Sequence, residues 1–421
     1  MATQTKTEQG ADSISGLTNE LGCGSRQPIL NRQGKTHGYE LQFRHAPEGE
    51  AGSAAAGSGS HAQGALLDTT VVLGLEQLSA GLPVFVPCAP DLLTEEWMRV
   101  LPSNITVFEL PGDVPATPAL LAACRDLKMS GYRLALADFT GKPDAWPLAE
   151  LADYIKIDIT QVDAAGRKAI FRRLAGSPSR PIATQVETQA QHAAAMEEGF
   201  ELFQGYYFCH PEPLQNHRIP GNRLVHLEIL VDLQNEPVDM NRLGHLVKCD
   251  PGLTFRLLRL VNSPVCAMRQ EVTSIHTALM LIGESTFRRV AMLAIAEDFN
   301  GEQPAELLRM AFERGRFCEL AAGLCGLQPS EQYLIGMVSL FPAMLRILPA
   351  DLLKLLPLRA EAQDALLGKG NREGVLLRWR ELEESGDWKA CDALVEAEGL
   401  DHAHIMRCHA NAIAWADAAL K

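Results

Sequence analysis

A chain of 421 residues with 47% hydrophobic and 21% charged residues has the composition of a globular protein of two or three domains and excludes wholesale disorder. Its formal net charge of −14 argues against non-specific nucleic-acid binding over the whole surface. The polar start MATQTKTEQGADSISG carries no apolar signal-peptide core, and no run of about 18 apolar residues suggests a transmembrane helix, so a cytoplasmic chain without membrane contact is expected. The ten cysteines form no C-x-x-C pair and read as reduced, small buried side chains, Cys318 and Cys325 included.

Residues 1–24 read as a disordered tail, and Ala46 to Gly64 as a loop too poor in large apolar residues to pack. Between them, RQPILNRQGKTHGYELQF holds two β-like runs around the turn-like Asn31–Gly34, which predicts a hairpin. From Leu66 a helical pattern precedes VFVPC, and ITVFEL follows. Then RLALADF, YIKIDI, PIATQV and FQGYYF alternate with helical segments. Such alternation predicts βα units, a mostly parallel sheet and, with this many units, a barrel in preference to an open sheet. After Pro211 and Pro213 strand signals vanish and helical periodicity continues nearly to the end. The expected fold class is therefore α/β followed by all-α.

A barrel of this kind works at the C-terminal ends of its strands. The polar residues expected there are Glu40, Glu109, Asp138, Lys156, Glu187 and Gln204. Carboxylates gathered at one mouth repel each other unless a cation or a lysine neutralises them. A two-metal phosphodiester hydrolase would need such a set, with Lys156 orienting a water.

RQPILN…GYELQFR, TVFEL, LALADFTG, YIKID, ATQVETQAQ and FQGYYF, in this order, resemble the EAL domain, a TIM-like cyclic di-GMP phosphodiesterase barrel, over about 25–213. The resemblance sets metal-ligating glutamates at Glu40 and Glu109, an aspartate at Asp138, the lysine at Lys156, and binding residues for phosphate or guanine at Arg44 and Gln204. It also sets departures. Pro87 stands for an asparagine ligand, Gly112 for a bracing glutamate, Ala137 for the first of a paired aspartate, Thr140 for a glycine and Thr184 for a glutamate. A site so stripped of oxygen ligands is expected to bind Mg²⁺ or Mn²⁺ poorly, so no cofactor and no catalysis are expected.

In the second half, Asp250-Pro251 signals a helix entry, Leu253, Leu257, Leu258 and Val261 line one face, and Ser274 caps a helix that Gly283 ends. DPGLTFRLLRLVNSP, SIHTALMLIG and FRRV resemble the HDOD domain, a helical relative of the HD phosphohydrolases, assigned here to 214–421. At the segment matching the HD motif, Ser339-Leu340-Phe341 offers no metal ligand. His402, His404, His409 and Cys408 read as packed or solvated in preference to a zinc site, and LRWRELEESGDWKACDALVEAEG as a solvated charged helix pair. The two resemblances imply a non-catalytic bacterial signalling or scaffold protein, with a protein partner on the HDOD half and the barrel as a regulatory or docking domain. A cyclic di-GMP receptor without hydrolysis, a weakly active metal-dependent phosphodiesterase and a homo-oligomer stay open as alternatives.

Overall fold

The computed structural model describes residues 24–43, 75, 79, 81–94, 96–209, 221–233, 242, 243, 246, 247, 251–262, 275–301, 303–356 and 358–420. Arg44, the Ala46–Gly64 loop, Asp250, Ser274, residues 1–23 and most of the helix expected from Leu66 lie outside them. The chain divides into two compact units, one ending at Tyr207 and the other beginning at Phe208.

The first unit is a closed eight-stranded barrel with strands in sequence order. They are β1 (Gly24–Asn31), β2 (Thr36–Phe43), β3 (Val84–Pro87), β4 (Thr106–Pro111), β5 (Arg133–Ala137), β6 (Tyr154–Asp158), β7 (Arg180–Thr184) and β8 (Leu202–Gln204). β1 begins at Gly24, one residue inside the stretch expected to be tail. The expected hairpin is present: β1 pairs antiparallel with β2 around a turn in which Asn31 Oδ1 accepts from the Gln33 and Lys35 amides. β1 also closes antiparallel on β8, and every other pairing is parallel.

Polar caps set where the intervening helices start. Thr117 accepts from the Leu120 amide ahead of α1 (Pro118–Met129), and Asp163 from the Gly166 amide ahead of α2 (Ala164–Leu174). Thr188 and Gln191 form a capping box at α3 (Gln189–Glu198). Inside the barrel, Ile29, Phe85, Val107, Ala135, Tyr154, Ile182 and Leu202 make an apolar plug. Side chains alternate faces along a strand, so the residue two positions beyond each plug residue also faces inward. That parity builds the mouth.

The second unit is helical. Its helices are α4 (Gly221–Asp232), α5 (Pro251–Val261), α6 (Ile275–Asn300), α7 (Ala305–Ala321), α8 (Pro329–Val338), α9 (Phe341–Leu345) and α10 (Pro349–Leu355). α11 (Ala360–Leu366), α12 (Val375–Glu384), α13 (Trp388–Ala397) and α14 (His402–Ala419) follow. Leu253, Leu257 and Val261 of α5 are buried, while Leu258 is only half-buried. Gly283, at φ 74° and ψ 165°, ends one helix as expected, and a second begins directly after it, so α6 is two helices joined at a kink. α7 is the central helix and packs against α8, α12 and α14. Its crossing with α8 is backbone-close, since a Cβ at Gly336 would lie 2.5 Å from the Arg314 carbonyl oxygen. Among the described residues no single helix is long and apolar enough to cross a membrane.

Candidate functional site at the barrel mouth

Above the plug, the inward positions are Gln27, Glu40, Pro87, Glu109, Ala137, Lys156, Thr184 and Gln204, one from each strand. Glu40, Glu109 and Lys156 lie within their strands, just inside the strand ends where they were expected. The groups that the resemblance implies are retained and those it implies are lost thus alternate around one ring. Its β3–β5 side is open, with Pro87 exposed and Ala137 half-buried, while Lys156, Thr184 and Gln204 are buried.

Lys156 ties the ring together. Its Nζ donates to Glu40 Oε2 at 2.5 Å and to Glu109 Oε1 and Oε2 at 2.9 and 3.0 Å. Gln204 Nε2 donates to Gln27 Oε1 at 2.7 Å and also to Glu40 Oε2. One ammonium thus faces two carboxylates, which leaves one negative charge in excess. Burial and then Glu40 push the Glu109 carboxyl up to about 7 against the opposing pull of Lys156. Burial disfavours the Lys156 charge, but Glu109 and Glu40 outweigh it and hold the ammonium above the ordinary lysine range. Two buried oxygens of the ring, Thr184 Oγ1 and Gln204 Oε1, have no hydrogen-bond partner among the described residues.

The remaining expected residues fall around this ring. Asp138 is exposed, one residue past β5, with φ 49°, and its carboxyl is raised by burial and by Asp158, Glu40 and Asp113 against Lys156. Next to it Phe139 is buried against Trp146, its amide donating to the Lys156 carbonyl at 2.9 Å. Glu187 sits apart at the α3 capping box, where its amide donates to Gln191 Oε1. Gly112 lies beyond the end of β4 and has no room for a side chain: a Cβ there would meet the Ala137 carbonyl oxygen at 2.3 Å and Phe139 Cα at 2.7 Å. The loss of a glutamate at this position is therefore built into the backbone path.

Two members of the mouth were not foreseen. Gln27 and Asp158 follow from period-2 counting outward from Ile29 and from Tyr154. Asp158 Oδ1 accepts from the Thr160 amide and hydroxyl at 2.8 and 2.6 Å.

A hard divalent cation takes oxygen ligands, carboxylates above all. Both carboxylates of the ring are engaged by Lys156, and neither Pro87 nor Ala137 carries a side-chain oxygen. This donor set does not fit a two-metal centre. Among the described residues no three His, Cys, Asp or Glu side chains converge as a metal cage.

In the helical unit, Ser339 Oγ accepts from Arg314 at 2.9 Å, and Arg314 donates to both Glu384 oxygens at 3.0 and 2.6 Å. His402 bonds Asp392 at 2.8 Å and His409 bonds Arg380 at 2.7 Å, so these histidines serve separate contacts. The charged helix pair departs from the solvated face expected of it. Arg380, Glu383 and Glu384 of α12 are buried with Glu313, Arg314 and His409. They can be buried because each finds an opposite charge on α7 or along α12.

Residues 88–211 match the EAL domain family and residues 219–366 the HDOD domain family. The protein named uncharacterized protein YuxH of Bacillus subtilis (strain 168) is 30% identical over 401 residues, 93% of this chain and 97% of that one. The cyclic di-GMP phosphodiesterase CdgJ of Vibrio cholerae serotype O1 is 30% identical over 373 residues, 87% of this chain and 86% of that one. Among solved structures, the cyclic di-GMP-bound form of a standalone versatile EAL protein from Vibrio cholerae O395 is 20% identical, with TM-score 0.36, over 44% of this chain and 90% of that one. Two ordered domain matches on one chain, and relatives aligned over nearly its full length, identify its family: it belongs to the two-domain EAL–HDOD proteins.

Proposed function

We propose that this chain is a non-catalytic cytoplasmic protein of cyclic di-GMP signalling, with the barrel as a regulatory or docking domain and the HDOD half as the seat of a protein partner. One observation carries the reading: Lys156 Nζ lies within 3.0 Å of carboxylate oxygens of both Glu40 and Glu109. The chain's own cation engages both carboxylates that a metal would need. Proline and alanine at the next inward positions add no oxygen to replace them. The kinship with a protein named a cyclic di-GMP phosphodiesterase supports the signalling context. For the helical half, the support is the HDOD match together with Ser339-Leu340-Phe341 at the HD motif.

The test is turnover of cyclic di-GMP by the full chain with Mg²⁺ or Mn²⁺. The expected result is no linear dinucleotide above background. Metal-dependent product that disappears in Glu40→Gln would overturn the reading.

A second reading, binding of the dinucleotide without hydrolysis, is favoured by the unpartnered oxygens of Thr184 and Gln204 inside the mouth. Calorimetry with cyclic di-GMP on wild type, Gln204→Ala and Arg44→Ala separates a receptor, whose affinity both variants weaken, from a docking barrel that gives no heat.

A further inference from the structure

The barrel has a second end, away from the carboxylate ring, where β2 to β8 begin. Two residues back from the plug along β5 and β7, strand alternation makes Arg133 and Arg180 inward-facing there. They flank Tyr154 of β6, which pairs with Ala135 on one side and with Arg180 on the other. β2 enters this end differently. Its pairing with β1 runs from Ile29–Gly38 to Leu30–Thr36, so His37 is a bulge residue without a partner in the ladder. A bulge re-aims a side chain. Here it sends His37 across the lumen from the strand opposite β6, and Nε2 reaches the Tyr154 hydroxyl at 3.1 Å.

Arg133 comes to the same hydroxyl. Its Nη1 lies 3.5 Å away, while Nη2 donates to the Asn104 carbonyl at 2.7 Å. These contacts fix the directions of His37 and Arg133, and strand parity that of Arg180. All three are only half-buried, and Arg180 keeps 40% of its side chain exposed, so solvent reaches the cluster. Its charge is unbalanced. Among the described residues the one carboxylate bridged to it is Glu201, 61% exposed and 3.7 Å from Arg180 Nη2. Arg133 meets a carbonyl and a phenol but no carboxylate. The imidazole registers the surplus: burial first, then Arg180 and Arg133, hold His37 down at about 4.

Closing a barrel needs only apolar side chains, as the plug above this layer shows. Two guanidinium groups and an imidazole gathered at an open end suit an oxyanion, which arginine binds through its fork of N–H donors. A phosphoryl group carries about −1.5 to −2 near pH 7, enough to balance both arginines where the single charge of Glu201 is not. We infer that Arg133, Arg180 and His37 form a binding site for a phosphoryl group, supplied as free phosphate or as a small phosphate monoester. The site lies at the opposite end of the barrel from Lys156, so its failure would leave the reading of the mouth untouched.

The test is an NMR titration of the full chain with inorganic phosphate at constant ionic strength, reading the imidazole signal that His37→Gln removes. That signal should shift saturably by roughly 20 mM phosphate and should not shift with chloride. Arg180→Gln should weaken the affinity about fivefold, and Glu201→Gln, which removes the competing carboxylate, should strengthen it by a similar factor. Because Glu201 is exposed, its variant tests the site even if Arg180→Gln fails to fold. Glycerol phosphate binding as well as phosphate supports recognition of the phosphoryl group alone; tighter binding supports an esterified source, and weaker binding free phosphate. No saturable shift, an equal shift with acetate, or an affinity unchanged in both variants overturns the proposal.

Discussion

The barrel mouth and the centre of the helical unit both bury charge, and they balance it in opposite ways. At the mouth one lysine serves two glutamates beside an open side, and burial leaves Glu109 titrating at about 7. In the helical unit Arg309, Arg314 and Arg380 are knotted with Glu306, Glu313, Glu383 and Glu384 across α7 and α12, and Arg309 also reaches Asp417 of α14. That knot is closed: its arginines and glutamates are all buried. Buried ion pairs are weak stabilisers in themselves, yet removing one partner strands the other. The mouth is therefore a place where one proton or one ligand changes the balance, while the knot fixes how helices cross. In both places a side-chain cation, Lys156 or Arg314, stands beside the positions that the two resemblances assign to metal.

The largest effect should come from the knot. Arg380→Met leaves Glu313, Glu383 and Glu384 each without one cation, and urea unfolding should report a loss of about 3–5 kcal/mol. A loss under about 1 kcal/mol would mean the knot is solvated and the contrast with the mouth is false.

Lys156→Met should cost less, about 3 kcal/mol near pH 8, and the cost should shrink toward pH 5 as Glu109 takes a proton. A pH-independent cost would break the argument that the mouth carries an excess charge. Gly112→Glu, which restores the residue type implied at that position, should destabilise by about 2 kcal/mol or more by overpacking against the Ala137 carbonyl. Unchanged stability would show that the loop after β4 yields.

Two opposed pH slopes complete the set. The folded pKa of Glu109 is raised to about 7, so its contribution is fully present below the unfolded value of about 4.5 and is lost as pH rises through 7. His37 is lowered to about 4, by burial and then by Arg180 and Arg133, so its contribution is present above about 6.5 and is lost as pH falls through 4. Between these values acidification should stabilise through Glu109 and destabilise through His37. Stability curves of Glu109→Gln and His37→Gln should diverge in opposite directions from wild type. Parallel curves would sink the assignment of either sign.

Much of this was legible in local sequence. The hairpin announces itself through Asn31 and Gly34, and short apolar runs between capped helices mark the barrel strands. Period-2 alternation explains why Pro87, Ala137 and Thr184 share a layer with Glu40, Glu109 and Lys156. The pairing of Lys156 with Glu40 was not legible, because it joins residues 116 positions apart across the barrel interior. Nor was the lack of room at Gly112, which depends on the path of the β5 loop. α12 misled for another reason: charge pattern alone assigns Arg380, Glu383 and Glu384 to solvent, and only their partners on α7 explain their burial.

The most direct measurement is a Mn²⁺ titration of the full chain near pH 7.5, read by the electron paramagnetic resonance of the free ion, beside Lys156→Met and Glu109→Gln. If Lys156 is the cation of this mouth, wild type binds no stoichiometric Mn²⁺ below about 1 mM and Lys156→Met gains a site. Micromolar binding by wild type that Glu109→Gln abolishes would contradict the account.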